Sequence, residues 1–328
     1  VSVTSVVIST QHSKDINQEK VKELILPYIK KSIPEKYIHD LDPKEIYINP
    51  TGQFIMGSEQ HYPEERPAHE RSVSAFEMDS TTVTNADFEK FVTETGYLTT
   101  AEIPLDPASA PGMPPDYFTA GSLVFHMTDG PVNLKDVRNW WSFIQGANWK
   151  QPEGPGSSIA GRENHPVVQV SFYDAQAYAY WAGKALPTEV EWEFAAKDGV
   201  KTLYPWGEEL DDAEFQVNTW HGEFPWKNEA IAPFSWPANA GIKSRYGLYN
   251  MIGNVWEWTA DAFYSQHEPN KRCCTPSSGA VEGQLFVVKG GSFLCAPSYC
   301  RRYRASARSP QESRSSTNHL GFRCVRRS

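Results

Sequence analysis

Cys295 and Cys300 are the pair whose type and spacing could do chemistry. They bracket Ala296-Pro297-Ser298-Tyr299, a spacer whose proline and serine favour a turn. A short turn can aim both sulfurs at one ion. Thiolates are soft ligands, and Cu(I) and zinc accept them. A structural zinc needs four ligands, so Cys273 and Cys274 would have to join, and adjacent residues rarely aim both sulfurs at one small ion. A disulfide and two unrelated buried thiols are the plain alternatives. Spacing alone leaves these readings open. Arginines follow the pair closely, at Arg301, Arg302, Arg304 and Arg308, and then at Arg314, Arg323, Arg326 and Arg327. Nearby cations favour thiolate over thiol. As a group, these arginines read as structural ion pairs with the acidic majority in preference to a binding patch.

Bulk properties narrow the classes. A net charge of −9, with no basic stripe before residue 290, argues against a nucleic-acid partner. No run of about 18 apolar residues exists, so no helical span of a membrane is expected. Val1 to Ser9 is apolar but too short for a signal peptide and has no positive region before it. The five cysteines are odd in number, which does not suit a disulfide framework. The 11 tryptophans, among 24 prolines and 22 glycines, point to long loops pinned by large flat side chains.

The elements that must position the cysteines are short. Before a seam near residues 49–60 the pattern reads strand, helix, strand: Val3 to Thr10, a stripe over Val21, Leu24, Ile25, Tyr28 and Ile29 interrupted by Pro27, then Glu45 to Ile48 before the turn Asn49-Pro50-Thr51-Gly52. After the seam three helices are expected. One starts at Asn85, capped by Thr84 or Asn85, and ends near Gly96. A second runs from Asp174 to Gly183, with Tyr178 and Trp181 on one face. A third follows Pro187, where Thr188 caps and Glu191 completes a capping box, turning Val190, Trp192 and Phe194 inward. Strand signals are brief and broken by Gly, Pro and Asn. This predicts an irregular α+β fold, not alternating βαβ units.

From Phe54 to Arg326 the chain resembles the formylglycine-generating enzyme family, also called the sulfatase-modifying-factor domain. The resemblance is carried by ordered blocks: Phe54-Ile55-Met56-Gly57-Ser58, the acidic and proline-rich Glu64 to Pro67, Gly146-Ala147-Asn148-Trp149, Leu186-Pro187-Thr188-Glu189, Tyr204-Pro205-Trp206-Gly207, Gly253-Asn254-Val255-Trp256-Glu257-Trp258, Gly290 through Cys295, and Leu320-Gly321-Phe322-Arg323. It implies a loop-rich, C-type-lectin-like fold over residues 53–328. It also implies an oxygen-dependent oxidase that converts a cysteine of sulfatase-type proteins, within Cys-x-Pro-x-Arg, to formylglycine. Cys295 and Cys300 are then the Cu(I) ligands, and the substrate cysteine binds as a third thiolate. Loss of a hydrogen from its Cβ gives a thioaldehyde, which hydrolyses, with O2 and a thiol reductant consumed. The partner is an unfolded or peptide-like sulfatase segment, and a monomer is expected.

The resemblance assigns further residues. Ser292 matches a serine near the oxygen pocket, although a turn serine bonded to backbone fits as well. Tyr299 matches the tyrosine before the second cysteine, with a buried, satisfied tyrosine as the alternative. Trp256 matches a tryptophan bordering the substrate groove, or packs in the core. Ala296 stands where well-known members have His. A structural Ca²⁺ is implied, held by the side chains of Asn250 and Glu257 and the carbonyls of Gly253 and Val255. A second family calcium site begins at Asn218 and Thr219, lacks its later acidic stretch and is expected to be lost or weakened. Thr82 replaces a third site's Glu. Two family disulfides are excluded, because Cys324 would face Ala179 and the other pair is Ala196 and Ala305. This favours a prokaryotic relative and a cytoplasmic setting, with a secreted or periplasmic one as the alternative.

Two rival readings follow from the same fold. One is a family member that binds proteins or glycans without turnover. The other is an iron-dependent sulfoxide synthase, which the nine scattered histidines do not suit. Separately, Thr4 to Phe54 resembles part of the central region of S-adenosylmethionine synthetase, through Ser9-Thr10-Gln11-His12 and Asn49-Pro50-Thr51-Gly52. Gln53 replaces the expected Arg and the phosphate-binding run is missing, so that activity is not expected. The chain is therefore divided into an N-terminal βαβ-like segment, 1–52, and the main domain, 53–328.

Overall fold

The computed structural model describes residues 45–48, 53–109, 111–112, 115–209, 217–229, 234–267 and 283–327. The expected first strand and helix, the turn at Asn49 to Gly52, and Cys273 and Cys274 lie outside them.

In chain order the strands are β1 (Glu45–Ile48), β2 (Gln53–Met56), β3 (His69–Ser72), β4 (Phe76–Asp79), β5 (Gly121–Phe125), β6 (Trp141–Gln145), β7 (Trp256–Ala262), β8 (Leu285–Lys289), β9 (Arg308–Glu312), β10 (Leu320–Gly321) and β11 (Val325–Arg327). They form a four-stranded sheet ordered β10-β7-β8-β9, a three-stranded sheet ordered β1-β4-β11, and the pairs β2-β3 and β5-β6. In the larger sheet β8 is antiparallel to β7 and β9, while β10 lies parallel to β7. In the smaller one β4 pairs with both β1 and β11, so Ile48, from the N-terminal side of the seam, shares a sheet with Val325.

The helices form where side chains satisfy their first N–H groups. Helix α1 spans Asn85–Thr95. Thr84 Oγ1 accepts from the Asp87 N–H, the Asp87 carboxylate accepts from the Thr84 N–H, and Gly96 ends the helix at φ 67°. Helix α2 spans Phe172–Trp181, two residues earlier than Asp174 suggests, because Ser171 and Asp174 are themselves a capping box. Starting there places Phe172 flat on Phe286, with ring centroids 3.6 Å apart. Helix α3 spans Glu189–Lys197 with the expected Thr188–Glu191 box, and Val190, Trp192 and Phe194 are buried. The main core gathers Phe88, Phe91, Tyr178 and Trp181 from α1 and α2 against Trp258, Phe286 and Phe322 from the larger sheet and the segment after it.

Buried ion pairs pin the loops. Arg323 grips Glu257 at 2.7 and 2.8 Å, Arg308 grips Glu189 at 2.9 Å through two nitrogens, Arg304 grips Glu65 at 2.6 and 2.8 Å, and Lys289 reaches Glu193 at 2.9 Å. The ion-pair reading of the C-terminal arginines therefore holds at these positions. Ala179, Ala196 and Ala305 are buried in the cores, and Cys324 is a buried cysteine.

Candidate functional site

Strand β8 ends at Lys289 and the chain turns through Gly290 and Gly291, both with positive φ. At Gly291, φ is 74° and a Cβ would sit 2.9 Å from Arg302 O, so only glycine lets the cysteine loop lie against residues 302–303. Two tight turns follow. Ser292 O accepts from the Cys295 N–H at 2.9 Å, and Ala296 O accepts from the N–H groups of Tyr299 and Cys300 at 3.1 and 2.8 Å. The second turn wraps the chain over Pro297, whose fixed φ suits it, and carries Cys300 back beside Cys295. The loop is tied down by Trp220 N–H donating to Cys295 O and Phe293 N–H donating to Asn254 O.

The two sulfurs lie 3.3 Å apart. A disulfide would need about 2.05 Å, and both cysteines are free thiols. Cys295 is 2% exposed, whereas Cys300 is only partly buried. Burial, then the hydrogen bond to Cys300, pushes the Cys295 thiol up. That same bond, with the Arg302 guanidinium, draws the Cys300 thiol down to about 6 against its burial. Of the two hydrogen-bonded sulfurs, that of Cys300 belongs to the less buried residue. Two converging soft donors fit a monovalent soft cation.

Around the pair the structure places the other expected residues as follows. Ser292 is fully buried and its Oγ accepts from the Leu294 N–H at 3.2 Å, so the turn role is present. Tyr299 is 37% exposed; its ring stacks on Phe224 at 4.5 Å and meets Trp140 edge-on at 5.4 Å. It is therefore not a fully buried tyrosine, and partial burial, then the neighbouring sulfurs, pushes it up to about 12. Ala296 is fully buried in the cluster of Trp140, Trp220 and Phe224. Trp256 is 7% exposed and packs in the main core.

Asn250, Gly253, Val255 and Glu257 lie on the segment that enters β7, with φ of 52° at Asn250 and 78° at Gly253. Asn250 Nδ2 donates to Ala238 O at 3.0 Å. Glu257 is 1% exposed and accepts from Arg323 twice and from Trp192 Nε1 at 2.8 Å. A carboxylate has about four acceptor positions, so one remains for a cation. Asn218 Nδ2 donates to Phe234 O and to Asn254 Oδ1, while the buried Asn218 Oδ1 has no partner among the described residues.

Sequence reasoning missed two groups. Tyr62 and Glu64 converge on Arg302 beside the cysteines, and only their place in an acidic, proline-rich block could have drawn notice. Glu189, Glu193 and His267 bring potential ligand atoms within 4.8 Å of one another in the interior. Lys289 and Arg308 already neutralise the two carboxylates. Among the described residues no three histidines gather. No described helix is long and apolar enough to cross a membrane.

Comparison with known proteins places this geometry. Residues 33–328 match the family described as Sulfatase-modifying factor enzyme 1-like domain. A short match, residues 1–54, is to S-adenosylmethionine synthetase, central domain. A formylglycine-generating enzyme of Mycobacterium tuberculosis is 47% identical over 86% of this chain and 97% of its own length. A mouse formylglycine-generating enzyme is 43% identical, covering 84% of this chain and 73% of its own. A mouse relative named inactive C-alpha-formylglycine-generating enzyme 2 is 37% identical over 88% and 87%. Among solved structures, PvdO from Pseudomonas aeruginosa superposes with a TM-score of 0.56 at 21% identity, covering 87% of this chain and 94% of that one, and shares the fold.

Proposed function

The chain belongs to the sulfatase-modifying-factor family of formylglycine-generating enzymes, and from that premise we propose how its residues carry out the family's reaction. It is an oxygen-dependent oxidoreductase that matures sulfatases by converting a cysteine to formylglycine. The metal in our reading is Cu(I), held by Cys295 and Cys300. The observation that carries this is the 3.3 Å approach of two free sulfurs, one of them on a residue that is only partly buried.

A bound Cu(I) supplies the electron-transfer and dioxygen chemistry. The chain supplies binding and orientation. The turn closed on Ala296 O holds both sulfurs on one side and leaves the Cys300 side open to a substrate thiolate. Tyr299, braced by Phe224 and Trp140, presents an exposed ring at that opening, and a Cys-x-Pro-x-Arg peptide would lie against it. Ser292 fixes the turn beneath, and Trp256 backs the site from the core. The protein-side cost of excluding water falls on the Trp140, Trp220 and Phe224 cluster, which seals Ala296. A thiol reductant balances the remaining electrons. Calcium, in the same reading, would be held by Asn250, Gly253, Val255 and Glu257 and would serve the fold.

The test uses a peptide containing Cys-Thr-Pro-Ser-Arg, Cu(I), oxygen and a thiol. Mass spectrometry should show aldehyde formation with the native chain and none with Cys295→Ser or Cys300→Ser. The rival is a binding module without turnover, and a relative named inactive, at 37% identity, lies further from this chain than the 47% and 43% identical enzymes. Copper binding with no aldehyde from any such peptide would support that rival.

A further inference from the structure

The loop that carries Cys295 is tied to its surroundings through main-chain groups, and one buried side chain organises them. Asn254 is fully buried and sits at φ 62°, a left-handed conformation that Asn adopts more readily than most residues with a Cβ. Its main chain reaches two ways. The Asn254 N–H donates to Asn218 O at 2.8 Å, and Asn254 O accepts from the Phe293 N–H at 2.9 Å. Its amide adds three more bonds. Oδ1 accepts from Asn218 Nδ2 at 3.1 Å and from the Trp236 N–H at 2.8 Å, and Nδ2 donates to Trp236 O at 3.3 Å.

These bonds close a circuit around the cysteine. From Asn254 it passes to Phe293 and along the chain to Cys295. It crosses through the Trp220 N–H, which donates to Cys295 O at 3.0 Å, and returns by Asn218 to Asn254. A further bond, from the Gly253 N–H to Gly290 O at 2.8 Å, fixes the start of the loop. The segment 218–220 and the loop 290–295 are distant in sequence, so their register depends on the residue that binds both. Two sulfurs serve one ion only when supporting groups hold them to within roughly 0.5 Å of the working geometry. We propose that Asn254 is a positioning residue, whose amide locks segment 218–220 and residue 236 against the cysteine loop and so sets where the Cys295 sulfur stands relative to that of Cys300. The inference rests on the reading of Cys295 and Cys300 as one copper site.

The spacing of the sulfurs is read without copper by titrating the full chain with phenylarsine oxide, a trivalent arsenical that binds two thiols at once. Binding lost in Cys295→Ser is the part that belongs to the pair, which sets aside any contribution of Cys273 and Cys274. Cu(I) affinity, by competition with a chromogenic chelator, and thermal unfolding are measured in parallel, all with calcium in excess. Asn254→Gly suits the left-handed backbone, keeps both main-chain bonds and deletes the amide. It should weaken arsenical and Cu(I) binding roughly 10-fold, the lower end of what losing a group outside the ligand shell does. Asn218→Ala breaks the same amide bond, leaves residues 250–257 unchanged and should shift both affinities in the same direction. Phe91→Leu loosens the packing of α1 on Tyr178 and Trp181. It should lower the unfolding midpoint and leave both affinities native, which separates positioning from general stability. Native arsenical affinity in Asn254→Gly overturns the proposal, and so does an equal loss in Phe91→Leu. If Asn254→Gly does not fold, weakened arsenical binding in Asn218→Ala supports the proposal and native binding overturns it. Failure of the copper reading looks different: the native chain then binds the arsenical but holds Cu(I) no better than Cys295→Ser.

Discussion

A carboxylate with 1% exposure must be paired or protonated, and Glu257 is paired, with Arg323 at 2.7 and 2.8 Å. Arg323 also donates to the carbonyls of Tyr249 and Asp79, so one side chain joins three segments. Removing it strands a buried charge. Arg323→Met should cost about 3–5 kcal/mol in urea unfolding; a loss near zero would mean that Glu257 is protonated or finds another partner. Tyr299 poses a different question, since its ring and its hydroxyl have separable roles. Tyr299→Phe keeps the stack on Phe224. It should fold as stably as the native chain, yet turn over peptide roughly 10- to 100-fold more slowly if the hydroxyl orients the reacting centre. An unchanged rate would leave Tyr299 as a packing platform only. Among single residues, the cysteine pair was legible in the sequence because a proline turn and a short spacer are local facts. Glu257's commitment to Arg323 was not, since the partners are 66 residues apart.

At the scale of elements, what could be read was what is closed locally. The Thr84–Asp87 and Thr188–Glu191 boxes each satisfy donors within one turn, and both helices start where those residues stand. The Ser171–Asp174 box obeys the same rule, and it starts α2 two residues before Asp174, where the sequence reading begins the helix. The cysteine loop depends on an element of another kind, a glycine pair leaving β8. Gly291→Ala would force a positive φ on a residue with a Cβ, 2.9 Å from Arg302 O. We expect it to destabilise the chain by about 1–3 kcal/mol and to weaken Cu(I) binding, because the turn that gathers the sulfurs starts there. Native binding after that change would show that the loop position is set elsewhere.

The whole molecule is held by charges brought from far apart in the chain. Arg304 meets Glu65 across 239 residues and Arg308 meets Glu189 across 119. No periodicity announces such pairs, so the irregular α+β class was readable while the path of the loops was not. The charges also set the acid limit. Burial would raise the Glu189 carboxyl, but Arg308 and Lys289 outweigh it and bring it from 4.5 to about 2. A carboxylate lowered by folding stabilises the fold above pH about 4.5, and that contribution fades as pH falls toward 2. Burial lowers His267 from 6.5 to about 4, so the unfolded chain takes up that proton first and stability declines from about pH 6.5 to 4. Urea midpoints should therefore fall in two stages below neutrality. A midpoint constant between pH 7 and pH 4 would contradict the burial of neutral His267.

The central claim is that the sulfurs of Cys295 and Cys300 share one copper ion and leave room for a substrate thiolate. Copper-edge X-ray absorption on the Cu(I)-loaded chain addresses it directly. We expect two sulfur neighbours in the loaded chain, three after a cysteine-containing substrate peptide is added, and no ordered sulfur pair in Cys295→Ser. Nitrogen or oxygen neighbours in place of the two sulfurs, or a sulfur count that the peptide leaves unchanged, would contradict it.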